Sequence, residues 1–128
     1  MTTLPSIDVI IVVDDASAGF ASCIESLEAA GGFDRLIIVD DSAGDSNVGA
    51  ILRARPQRHL LLRTGRRLGM AAAVNRAIGF STHDIVIVDS GAVVSAGCLE
   101  RLARCMASDP SIGTASPFTN FAVPPPRS

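Results

Sequence analysis

The sequence predicts an α/β fold with a mainly parallel central sheet, and three observations carry that prediction. Short aliphatic runs, at residues 9–13, 36–39, 60–62 and 85–88, alternate with stretches of helical periodicity. Each run is closed by acids, glycines or small polar residues, the usual turn formers. The apolar share is 48%, yet there is no Trp or Tyr, so the core must be built from Ile, Val, Leu and Ala, as between helices and a parallel sheet.

Taken in order, Ile7 to Val13 reads as a central strand ending in Asp14-Asp15. A helix follows from Ala18 to Ala30, with Phe20, Ile24 and Leu27 on one face and Gly31-Gly32 as its stop. Arg35 to Val39 is the second strand, Asp40 to Asp45 an acidic loop, and Ser46 to Ala54 a short helix with Val48, Ile51 and Leu52 inward and Pro56 beyond its end. His59 to Arg63 is the third strand and residues 64–69 its loop. Met70, Val74, Ala77 and Ile78 then mark the inner face of a third helix. Asp84 to Val88 is expected to be a buried fourth strand, closed by Asp89-Ser90-Gly91. Ser95 is placed to cap a fourth helix striped by Leu99, Leu102, Cys105 and Met106, and Ile112 to Ala115 is expected to add a fifth, short strand. The reading is one domain over residues 1–117, with an extended Pro-rich tail over 118–128.

Composition excludes several classes of function. A net charge of −2 gives no general field for nucleic acid or anionic membranes, and no apolar run approaches the roughly 18 residues of a membrane span. All eleven basic residues are Arg, which removes any chemistry that needs a lysine. Cys23, Cys98 and Cys105 lack C-x-x-C spacing and His59 and His83 are far apart, so neither a disulfide framework nor a zinc site is expected; the thiols read as reduced and buried, with Cys98 and Cys105 packed on one helix face. No signal peptide is expected before the first strand, and the expected compartment is the cytoplasm.

Three strands end in acids: Asp14-Asp15, Asp40-Asp41 and Asp89. The carboxyl edge of a parallel sheet is where such folds hold ligands, and carboxylates there accept from ribose or base donors or hold a divalent ion beside a diphosphate. In the loop after the third strand, Arg66 and Arg67 suit phosphate oxygens, whereas Arg53, Arg55 and Arg58 read as a solvated surface.

In their order, VIIVVDD (9–15), LIIVDDSAGD (36–45), LLLRTGRRLGMAAAVNRAI (60–78), DIVIVDSGAVVSAGCLERL (84–102) and SDPSIGTASPFTN (108–120) resemble the amino-terminal half of family 2 glycosyltransferases. The resemblance implies a GT-A (Rossmann-like) three-layer α/β/α sandwich. It further implies binding of a nucleotide-diphosphate sugar, normally with Mg²⁺ or Mn²⁺, for inverting transfer to an acceptor hydroxyl. Matched by motif, Asp41 corresponds to the acid that hydrogen-bonds the base, and Val13-Asp14 to the segment beside base and ribose. Gly69 and Asn75 fall in the N-x-G-x-x-x-A-x-N-like segment, with Arg67 in place of its first asparagine. Asp89-Ser90-Gly91 takes the place of the metal-binding D-x-D.

Two departures qualify that reading. Gly91 stands where the family has its last metal-binding acid, which leaves Asp89 to hold any ion with the nucleotide phosphates. The Pro-x-Tyr-Asn of the family's first loop is replaced by Val12 to Asp15. The chain is therefore expected to be truncated or catalytically impaired, with no catalytic base to nominate. Two alternatives stand beside it: a non-catalytic interaction or homo-oligomerisation module of the same fold, and a phospho-receiver using Asp14, Asp15 and Asp89.

Overall fold

The computed structural model describes residues 6–14, 18–42, 47–55 and 59–116. Within them four strands and four helices alternate: β1 (Ile7–Val13), α1 (Ala18–Ala30), β2 (Arg35–Asp40), α2 (Val48–Arg53), β3 (His59–Arg63), α3 (Met70–Ile78), β4 (Asp84–Ile87) and α4 (Cys98–Ala107). Asp15, Pro56, Arg58, the expected helix start at Ser46 and the tail over 118–128 lie outside the described residues.

All strand pairs are parallel, in the order β3-β2-β1-β4. Right-handed crossovers carry β1 to β2 to β3 in one direction, and the return to β4 runs the other way. Helices α1 and α2 therefore share one face, where α4 joins them, and α3 lies on the other. On β1, Ile7, Val9, Ile11 and Val13 face the first layer, while Ile10 and Val12 face α3. Burial on both faces explains why this strand is almost unbroken Ile and Val.

Several expectations change at the level of packing. The face of α3 that meets the sheet is Ala73, Val74 and Ala77, whereas Met70 and Ile78 are exposed. The sheet already presents Ile10, Val12, Ile37 and Val39 there, so alanines allow the closer approach. Strand β4 is not a buried strand: among the described residues only β1 pairs with it, and Ile87 is 52% exposed with Ile85 and Val86 half-buried. Residues 112–116 form no ladder, so the expected fifth strand is not made. Helix α4 starts after Gly97, which sits at the N-cap with φ +76°, rather than after Ser95. It buries Leu99 and Ala103, while Cys98 is half-buried and Cys105 exposed, so these two thiols are not core packing.

Candidate functional site

The strand order turns back between β1 and β4, and in open parallel sheets ligands lie beyond the carboxyl ends of strands at such a point. The chain leaves β1 at Asp14, which is exposed, and leaves β4 through Val88, whose N–H still donates to the Ile10 carbonyl, to reach the exposed Asp89. On the other side of β1, strand β2 ends at Asp40 and is followed by Asp41, both buried. Three adjacent strands thus deliver acids to one edge.

The acids do different work. Asp40 is a turn former: its Oδ1 accepts from the Ser42 N–H at 3.2 Å and the Ser42 hydroxyl at 2.7 Å. Asp41 reaches across to the loop after β3. Its Oδ1 accepts from the Leu68 N–H at 2.9 Å and its Oδ2 from the Gly69 N–H at 2.9 Å. The Thr64 hydroxyl lies 2.9 Å from Oδ1. Burial opposes the charge on Asp41, but the two amides, the hydroxyl and the nearby Arg67 guanidinium outweigh it and hold the carboxyl below the usual carboxylate range. Gly69 is also the residue at the N-cap of α3, so the carboxylate sits where the helix dipole favours a negative charge. With φ +92° at Gly69, any side chain there would be strained, although the space beside it is open.

Helix α1 and a tight turn organise the other rim. Asp89 Oδ2 accepts from the Gly91 N–H at 3.0 Å, and the Asp89 carbonyl from the Ala92 N–H at 3.0 Å. From α1, the Cys23 thiol donates to the Asp89 carbonyl at 3.5 Å, and the Ser26 hydroxyl accepts from the Val94 N–H at 2.9 Å. Burial, reinforced by the Asp89 charge, pushes the Cys23 thiol up to about 11, so it is a structural group and not a nucleophile.

The residues singled out from sequence therefore fall into two groups. Asp14, Arg67, Gly69 and Asp89 are exposed at the carboxyl edge. Val13 and Asp41 are buried behind it; the Val13 side chain belongs to the core, and its carbonyl accepts from the Asp41 N–H at 2.8 Å. Thr64, Cys23 and Ser26 were not legible as parts of the site. Only the position of Thr64 at the end of an apolar run hinted at a role. As a metal centre the edge offers the Asp89 carboxylate, and Gly91 adds none. One carboxylate with phosphate oxygens is a set that Mg²⁺ or Mn²⁺ accepts.

A family model described as glycosyl transferase family 2 matches residues 8–123. No curated protein sequence matches the chain. Among solved structures, the mannosyltransferase PcManGT from Pyrobaculum calidifontis, in complex with GDP-Man and Mn²⁺, is similar with a TM-score of 0.72 and 22% identity. The match covers 88% of this chain and 35% of that one, so this chain spans about a third of the length of its structural neighbour. The likeness establishes the GT-A fold. The phospho-receiver alternative fails on topology, since flavodoxin-like receivers order their strands 2-1-3-4-5, not 3-2-1-4.

Proposed function

The chain belongs to glycosyl transferase family 2, and on that premise we propose that residues 1–117 bind the nucleotide-diphosphate sugar for inverting transfer to an acceptor hydroxyl. The observation that carries this reading is the pair of pre-set rims at the carboxyl edge: the 64–69 loop fastened by Asp41, and the Asp89 turn fastened by α1. Between them Asp14 is placed for ribose or base donors, Arg67 for a phosphate, and the Gly69 backbone allows close approach. Asp41, with two amide donors on its carboxylate and the Thr64 hydroxyl shared between it and the Arg66 carbonyl, acts chiefly by holding that loop. It retains acceptor capacity for at most one further N–H, such as that of a base.

Asp89 holds Mg²⁺ or Mn²⁺ only together with the donor's diphosphate, because Gly91 supplies no second carboxylate. Such an ion would stabilise charge on the departing diphosphate, and one protein carboxylate would hold it less tightly than two. Donor binding is therefore retained, while turnover by this chain alone is impaired. The net charge of −2 gives no general field for nucleic acid. Among the described residues no helix is long and apolar enough to cross a membrane, and the three free cysteines fit a reducing, cytoplasmic setting.

Calorimetric titration with GDP-, UDP- and dTDP-sugars, with and without Mn²⁺, tests the proposal. Binding of one donor class that is lost in Asp89→Asn supports it. If no nucleotide binds, donor recognition is excluded, and the reading left is an interaction module self-associating through the β4 edge, where Ile87 is exposed.

A further inference from the structure

The amino edge of the sheet, opposite the proposed donor site, carries a second cluster that neither the fold nor the donor reading uses. Asp8 lies in β1 with its side chain fully buried, an unusual place for an acid within an otherwise aliphatic strand. Its Oδ2 accepts from the Ser81 hydroxyl at 2.7 Å, and Arg35 Nε stands 3.9 Å away. That guanidinium, which also lines the hollow beside Asp8, donates through Nη2 to the Phe80 carbonyl and makes no hydrogen bond to Asp8 Oδ1. Oδ1 of Asp8 is buried and has no hydrogen-bond partner among the described residues. A buried carboxylate oxygen with nothing bound to it is strongly unfavourable, and a cation is the partner that best relieves it.

Two exposed side chains complete the arrangement. One ligand atom from each of Asp8, Asp34 and His83 lies within 4.8 Å of the others. His83 Nε2 and Asp34 Oδ2 are 3.4 Å apart. That spacing is about the ligand-to-ligand edge of a tetrahedron with bonds of roughly 2.0–2.1 Å. All three residues line one hollow of about 330 Å³, with His59 also on its wall. Ser81 already plays the supporting role that metal ligands need: its hydroxyl donates to Asp8 and accepts from the His83 N–H at 3.2 Å, fixing two ligand residues to each other. The His83–Asp34 ion pair alone would leave the orphaned Asp8 oxygen unexplained.

We propose that Asp8, Asp34 and His83 form a binding site for a first-row transition dication of the Zn²⁺ type, with an open fourth position facing the hollow. The imidazole disfavours Mg²⁺ and Ca²⁺, and two carboxylates with one imidazole make a set of the kind zinc accepts. The site is about six strand residues from Asp14, roughly 20 Å along the sheet, and does not depend on the donor reading.

The test uses the full chain stripped of metal with a chelator and titrated with Zn²⁺ by calorimetry, and with Co²⁺ followed by its visible absorption. Wild type is expected to bind one Zn²⁺ with micromolar or tighter affinity and to melt at a higher temperature with zinc. Asp34→Asn and His83→Gln alter exposed side chains, so folding is not at risk; each should weaken binding by about tenfold or more. Asp89→Asn should bind zinc as wild type does. Failure to saturate below about 1 mM Zn²⁺, or wild-type affinity in either ligand variant, overturns the proposal.

Discussion

Replacing Asp41 by Asn tests whether one carboxylate fastens the carboxyl edge. The amide keeps an acceptor at Oδ1 for the Leu68 N–H, but presents an NH₂ group to the Gly69 N–H, donor against donor. One charge-assisted bond is lost outright, worth about 1.5–3 kcal/mol, and removal of the negative charge from the N-terminus of α3 adds about 0.3–1 kcal/mol. The expected destabilisation is therefore about 2–4 kcal/mol at neutral pH, read from denaturant unfolding, with faster amide exchange at Leu68 and Gly69. The pH dependence has a definite sign. Because the folded-state pKa of Asp41 is depressed, its contribution is fully present above the usual carboxylate value of about 4 and is lost as pH falls through the depressed value. The gap between wild type and Asp41→Asn should accordingly narrow in acid. A loss below about 0.5 kcal/mol at neutral pH, or a gap that widens on acidification, would refute the reasoning.

Three further outcomes are expected. Gly91→Asp should fit without backbone strain, since Gly91 does not have a positive φ and a Cβ there meets only Asp89 Oδ2, at 3.5 Å; it should raise Mn²⁺ affinity in the presence of nucleotide by about tenfold, and an unchanged affinity would count against Asp89 as a metal ligand. Ile24→Ala should destabilise by about 2–5 kcal/mol, whereas Met70→Ala should stay within about 0.5 kcal/mol because Met70 is 52% exposed; thermal unfolding of the pair checks which helix faces are inward. Ile87→Lys should reduce concentration-dependent self-association in sedimentation while leaving stability nearly unchanged, and a wild type that is monomeric at every concentration would remove that reading of the β4 edge.

The sequence made some features legible and hid others for physical reasons. Strands β1, β2 and β3 and helix α1 were readable because β-branched runs and the Phe20, Ile24, Leu27 spacing are produced directly by burial. Met70 and Ile78 were misassigned because periodicity counts large apolar residues, while α3 packs through its small ones. Strand β4 was misread because a run such as Ile85 to Val88 looks the same whether or not a neighbouring strand covers its far side. At the site, the acids could be found as strand ends, but the bonds of Asp41 to Leu68 and Gly69 join segments far apart in sequence and follow only from the pairing of β2 with β3. Asp8 was not singled out within IDVIIVV, and its companions Asp34 and His83 reach it only through the sheet.

The two rims of the carboxyl edge are anchored in different parts of the scaffold. One is tied through Asp41 to the β2–β3 side of the sheet, the other through Cys23 and Ser26 to α1. Opening either rim would break a different set of side-chain bonds, so each has its own local free energy. A molecule reaching from Arg67 to Asp89 would act as a strut between them. Its arrival should slow amide exchange at Gly69 and Gly91 together.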